Sequence, residues 1–227
     1  MDKTKLIEDF RLFAKDKGVS PLVLDDVTKH INNTLTPYIL EERTLNVTSV
    51  DIYSRLLYDR ILYFGHEVNS ETCNVAIAQL LFLDSINDGG INFYINSGGG
   101  SVIDGLGLID TMNIIQSPIS TTCVGMAASM GAVLLSCGEK GKRFVLPHSR
   151  VMIHQVSSMT RGTVADMKIA LEQSLRCEDD VYKILAENTN KSVEEIRELC
   201  DRDNWFIGQE AVELGIADKV LTKKSVK

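Results

Sequence analysis

The sequence predicts an α/β protein in which repeated strand–helix units place parallel strands in one sheet. Two observations point there first. From Ile61 onward, short strand-like apolar runs alternate with segments whose apolar residues recur at helical spacing. Glycine-rich stretches then follow two of those runs, at 98–100 and between Gly125 and Gly131. A third observation is the size: 227 residues with 44% apolar and 24% charged side chains suit one sizeable core. Strands joined through helices run parallel by right-handed crossovers, and sites in such sheets gather at the carboxyl ends of strands.

The first 37 residues are expected to form an N-terminal extension or propeptide, ahead of a main domain over 38–227. Leu6, Phe10 and Phe13 give 3–16 one apolar stripe. Ser20 and Pro21 announce a second helix carrying Val23, Leu24, Val27 and Ile31. Asn32, Asn33 and Pro37 break that pattern.

In the main domain Ile61–Phe64 reads as a strand, and 70–83 as a helix with Cys73, Ala76, Ile77, Leu80 and Leu81 at helical spacing. A strand over 91–95 runs into the glycines at 98–100, and Ser101 can cap the helix bearing Val102, Leu106 and Ile109. A strand over 119–124 is expected to stop at Gly125, with a helix starting near Ser129. Short strands follow at 143–146 and 151–153. Thr163-Val-Ala-Asp166 reads as a capping box for a long helix to about Asn188, and Ser192-Val-Glu-Glu195 as another. Gln209–Leu214 is a last short helix, stopped by Gly215.

Charge and cysteine usage exclude several functions. A net charge of −7 argues against nucleic acid or anionic membrane as partners. There is no long uncharged apolar run, and the opening MDKTKLIEDF lacks the basic-then-apolar layout of a secretory leader, so a cytoplasmic location is expected. The five cysteines are odd in number and without CxxC spacing, which speaks against a disulfide framework or a zinc site; no metal is expected. The glycines at 98–100 lack both the Lys-Ser/Thr of a phosphate loop and the GxGxxG spacing. They make either a flexible turn or a backbone donor facing Ser129.

Serine becomes a nucleophile only when a base takes its proton, and hydrolysis needs donors aimed at the oxyanion. In Gly125-Met-Ala-Ala-Ser-Met-Gly131 small residues surround Ser129 at a strand-to-helix turn. Ser129 is there either a nucleophile or merely a helix cap. Position 127 is Ala, so the GxSxG elbow of α/β-hydrolases is absent. Of the four histidines, His30 lies in the extension, His66 in a loop and His148 in a turn, whereas His154 closes a strand. A third group should orient the imidazole. Asp203, Asp201 and Asp166 all qualify, and patterning does not choose among them.

Taken together, the ordered motifs resemble the proteolytic subunits of the Clp protease family, from about Asp51 to Leu221. They are Asp51-Ile-Tyr-Ser-Arg-Leu-Leu57, Tyr94-Ile-Asn-Ser-Gly-Gly-Gly100, Asp110-Thr-Met112, the Gly125–Gly131 stretch, Ser149-Arg-Val-Met-Ile-His-Gln155, and Arg202-Asp203 with Glu210-Ala-Val-Glu-Leu-Gly215. The resemblance implies a serine endopeptidase working through an acyl-enzyme, with Ser129 as nucleophile, His154 as base and Asp203 as the third member. It implies backbone N–H groups of Gly100 and Met130 as oxyanion donors. The implied fold is crotonase-like, with a protruding strand-helix handle over 155–188. The implied partners are copies of the chain in stacked heptameric rings, an AAA+ Clp ATPase, and unfolded polypeptide substrates. The ATPase would dock in a groove containing Leu80, Tyr94, Phe144 and Leu221, and ATP would be its cofactor; none is implied for this chain. Gly98 stands where the family has proline, Val156-Ser-Ser-Met159 where it has a glycine-containing stretch, and Asn92 where an aromatic is frequent. Two rival readings are a crotonase-type acyl-CoA enzyme, which needs no Ser/His pair, and a catalytically silent ring subunit.

Overall fold

A computed structural model describes residues 38–43 and 46–223. The helices expected over 3–16 and from Ser20 lie outside the described residues. The chain divides into two compact units, Met1–Asp59 and Arg60–Lys227.

In the first unit, β1 (Tyr38–Arg43) pairs antiparallel with β2 (Asn46–Asp51), in register from Tyr38↔Asp51 to Arg43↔Asn46. Asp51 then caps α1 (Ile52–Tyr58), its carboxylate accepting the N–H groups of Tyr53 and Ser54 at 3.0 Å each. That satisfies donors a helix start otherwise leaves without partners.

The second unit is a seven-stranded sheet with helices around it. In chain order its elements are β3 (Ile61–Phe64), α2 (Ser70–Ile86), β4 (Ile91–Ser97), α3 (Val102–Ile114), β5 (Ile119–Ala128), α4 (Met130–Ser136), β6 (Arg143–Val145), β7 (Arg150–Ile153), α5 (Val164–Thr189), α6 (Val193–Leu199), β8 (Asn204–Ile207), α7 (Gln209–Leu214) and β9 (Lys219–Val220). The main path runs β3-β4-β5-β6-β9, all parallel. The latter part of β5 takes β7 as a parallel neighbour, and β7 pairs antiparallel with the edge strand β8.

The core follows from strand alternation and helix stripes. In β4 every second residue is buried, so Ile91, Phe93 and Ile95 face inward. Phe93 meets Phe64 of β3 edge-to-face, ring centres 6.0 Å apart. Burying one such side chain stabilises by about 1.5–3 kcal/mol. The stripe Cys73, Ala76, Leu80 and Leu83 turns α2 onto this layer. All seven residues of α4 are buried, six of them non-polar and the seventh, Ser136, bonded through its hydroxyl to Val133 O, so the helix is enclosed by protein.

Three local features differ from expectation. β5 does not stop at Gly125; it continues to Ala128. Gly125 adopts φ +88°, the register against β4 shifts between Ile95 and Ser97, and Met126 N–H is taken up by Asn96 Oδ1 at 3.2 Å. The glycine makes a bulge rather than an end. Second, Thr163 caps α5 by accepting Asp166 N–H, but the Asp166 carboxylate accepts the Thr163 hydroxyl rather than its backbone N–H, so the box is not reciprocal. Third, the handle's helix is present as α5, whereas residues 155–163 form no strand in the single chain. A strand needs a neighbour to complete its ladder, and no described segment supplies one.

Candidate active site

Two register relationships assemble the site. β5 and β7 pair in parallel with Ala128 opposite Met152, and Ser129 N–H donates to Met152 O at 2.8 Å. The residues just beyond these adjacent strand ends are Ser129 and His154. β7 and β8 pair antiparallel with Ile153 opposite Asn204, so the next step along each strand sets His154 against Asp203. In the result, Ser129 Oγ lies 2.9 Å from His154 Nε2, and His154 Nδ1 lies 3.3 Å from Asp203 Oδ1. The first is an ordinary hydrogen-bond length; the second is longer than the ~2.9 Å usual for N–H···O. The His154 side chain is 26% exposed and that of Asp203 64%. Of the three aspartates left open by patterning, Asp203 is the one in contact with the imidazole. Asp166 instead accepts the Thr163 hydroxyl at the start of α5.

Ser129 itself has φ 53°, ψ −124°, in a region that non-glycine residues rarely occupy. Such a conformation costs about 1–3 kcal/mol and persists only where the surroundings enforce it. Here they do. Ser129 O accepts N–H from Ala132 and Val133, while its own N–H is bonded to β7. On the other side Gly99 (φ +91°) packs so tightly that an added Cβ would lie 2.6 Å from both Ala128 O and Ser129 Cβ.

The glycine loop is held by a parallel bridge between Val68 and Gly100. Val68 N–H donates to Gly99 O at 2.8 Å, and Ser101 N–H donates to Val68 O at 2.7 Å. In a parallel bridge these bonds belong to the neighbours of the bridged residue, which leaves the N–H of Gly100 outside the ladder. A side chain on Gly100 would collide with Val68 O, so glycine is obligatory there. Met130 opens α4, where a backbone N–H has no partner within the helix. Its side chain is buried against Gly105 of α3, where an added Cβ would lie 2.5 Å from Met130 Cγ. Gly100, Ser129, Met130 and His154 all line one cleft, which also has Val133 and Leu185 on its wall.

The groove residues fare differently. Tyr94, Thr122 and Phe144 stand in one row across β4, β5 and β6, and both aromatics are half-buried. Leu221 follows β9, its N–H bonded to Val145 O at 2.9 Å. Leu80 is fully buried and lines no surface of this chain, because it belongs to the inward stripe of α2. The large apolar residues exposed on that helix are Val75, Leu81, Phe82 and Ile86. Among the described residues no group of three or more His, Cys, Asp or Glu could hold a metal ion, and no helix is long and apolar enough to cross a membrane.

Residues 44–224 match the family model described as Clp protease. The chain belongs to the Clp protease family. It is 48% identical over 220 residues to the ATP-dependent Clp protease proteolytic subunit of Bacteroides fragilis, covering 96% of this chain and all of that protein. The proteins of the same name in Bacteroides thetaiotaomicron and Porphyromonas gingivalis are 48% and 45% identical, again over 96% of this chain. These alignments extend into the first 37 residues, which are thus shared in part with the relatives. As a Clp protease family member the chain is a peptide hydrolase of α/β architecture. Sequence reasoning set the glycines at 98–100 against Ser129 but missed the close packing of Gly99 on the serine, and it did not single out Val68, which braces the loop through main-chain bonds. Backbone bonding leaves no mark on residue type, so Val68 offered no signal to find.

Proposed function

We propose that this chain is the proteolytic subunit of an ATP-dependent Clp protease, with Ser129 as nucleophile, His154 as general base and Asp203 as the orienting carboxylate. The observation that carries the reading is the 2.9 Å approach of Ser129 Oγ to His154 Nε2 from adjacent strand ends. His154 takes the hydroxyl proton as Oγ attacks the scissile carbonyl carbon. The backbone N–H groups of Gly100 and Met130 receive the oxyanion, a role in which one lost donor costs ~10²–10³ in rate. The protonated imidazole, stabilised by Asp203, delivers its proton to the leaving amine. Water, deprotonated by His154, then cleaves the acyl ester and restores the hydroxyl.

A fluorophosphonate probe tests this. It should label Ser129 in the wild type and label neither Ser129→Ala nor His154→Ala; labelling that persists at another serine would overturn the assignment.

The relatives' name speaks of ATP, and the glycine loop of this chain lacks the residues of a nucleotide site. ATP use therefore belongs to a separate AAA+ Clp ATPase that unfolds substrate. Apolar residues exposed along α5, among them Val164, Ile169, Leu171 and Leu175, support self-assembly through the handle into stacked heptameric rings. Native mass spectrometry checks the stoichiometry. Short peptides should be cut without the ATPase, and folded proteins only with it and ATP. Residues 1–37 act as an extension or propeptide, which intact mass after purification checks. The protein works in the cytoplasm, where such substrates and ATP are available.

A further inference from the structure

The weakest geometry in the site is also its most exposed. Asp203 is 64% exposed and touches His154 through one oxygen at 3.3 Å. Among the described residues no second donor reaches its carboxylate, so its position depends on the backbone of the turn between α6 and β8. Two side chains tie that turn down. Asn204 Nδ2 donates to Leu199 O at 3.1 Å, closing the turn on itself. Gln155 Nε2 donates to Asp201 O at 3.0 Å, joining the turn to the chain that leaves β7. Arg202 Nη1 shares the same carbonyl at 2.8 Å, but it comes from within the turn and adds no link to β7.

Gln155 directly follows His154, and Asp201 lies two residues before Asp203. The Gln155 bond therefore spans the same gap as the imidazole–carboxylate contact. Beyond the β7–β8 ladder, it is the side-chain tie that holds the two partners in register. We propose that Gln155 is a positioning residue for the His154–Asp203 contact, acting through the Asp201 carbonyl. The inference rests on the triad reading above. The Gln155 amide bonds to the turn rather than to a reacting atom, and its side chain is exposed, so removing that amide leaves the core intact.

The test is a double-mutant cycle on the assembled full-length protein with a fluorogenic short peptide. Gln155→Met keeps length and removes the donor. It should lower kcat about five- to tenfold with KM unchanged, as expected for one lost bond of about 1 kcal/mol acting on the transition state. In an Asp203→Asn background the same substitution should change kcat less than about twofold, because the contact it positions is already compromised. Hydrodynamic size should be the same for all four proteins. An unchanged kcat in the single variant, or an equal proportional loss in both backgrounds, would overturn the role. Ser129→Ala is run alongside. Its inactivity with additive losses at Gln155 removes this proposal alone, whereas turnover by Ser129→Ala removes the triad reading and the proposal with it.

Discussion

Gly99 and Ser129 meet at a distance that leaves no room for a side chain between them: a Cβ on Gly99 would sit 2.6 Å from that of Ser129. Gly99 also holds φ +91°, which L-residues rarely adopt. Gly99→Ala must therefore push the serine and the Gly100 amide apart. A misplacement of about 1 Å costs on the order of 10²-fold in rate, and we expect kcat/KM for a short peptide to fall at least that far. The rate of fluorophosphonate labelling measures the same displacement without substrate binding. A wild-type rate in folded Gly99→Ala would contradict the packing argument.

Asp203 differs from a buried triad carboxylate. Loss of such a group slows catalysis by ~10⁴. With Asp203 mostly in water, part of its stabilisation of the imidazolium is screened, and Asp203→Asn should cost about 10²–10³. Steady-state hydrolysis at saturating peptide checks this. A loss equal to that of His154→Ala would show that solvent does not weaken the carboxylate's hold on the imidazolium.

Arg143 and Asp218 fasten the C-terminal strand. The Arg143 side chain is 5% exposed; its Nε donates to Asp218 Oδ2 at 3.0 Å, and its Nη1 donates to Asn188 O at 2.8 Å. Burial pushes the Asp218 carboxyl up, but hydrogen bonds from Arg143 and Gly141 and the guanidinium charge outweigh it, leaving the group below its ordinary value. A carboxyl lowered on folding contributes stability above its unfolded pKa of about 3.9 and loses it as pH falls through the folded value. Asp218→Asn should thus destabilise the subunit at neutral pH by about 3 kcal/mol, since a nearly buried guanidinium loses its partner. The difference from wild type should shrink below about pH 4. Denaturant melts across pH test both statements, and a difference independent of pH would refute the linkage.

The cysteines should be silent in the native protein. Burial raises the thiols of Cys123 and Cys137 to about 11 and that of Cys200 to about 12. The thiolate is the reactive form, so alkylation at pH 8 should be more than about 100-fold slower than in denatured chain. Mass spectrometry after timed iodoacetamide exposure gives the comparison; fast modification at Cys123 or Cys200, both fully enclosed, or at the part-exposed Cys137 would contradict the raised thiol values.

Local chemistry was legible where it dominates. Ile61–Phe64 and Gln209–Leu214 fall where periodicity placed them, and the Ser192 capping box is formed on both sides. β5 outran its expected end because a bulge absorbs Gly125, and this depends on Asn96 across the ladder rather than on neighbours in sequence. The β1–β2 hairpin escaped because Glu41, Glu42 and Arg43 interrupt alternation. Ser129 and His154 could be singled out from residue type and position. Asp203 could not, since what separates it from Asp201 is the β7–β8 register, a long-range property that no local pattern encodes. Helical spacing already puts Leu80 in the stripe that α2 buries; its place in a docking groove is implied by the family resemblance alone, and in the single chain its side chain reaches no surface.

The change of neighbour along β5, from β6 to β7, has a consequence for how the enzyme fails. Hydroxyl and imidazole leave adjoining lanes of one interior ladder, so they part only when that ladder opens. The carboxylate sits in the turn just before β8, which among the described residues pairs with no strand but β7 and so forms a rim of the sheet. Rims fray before interiors. On the proposed triad, gentle warming should therefore unhook the acid while serine and histidine remain engaged, so that the enzyme dims to a slow peptidase before it goes dark.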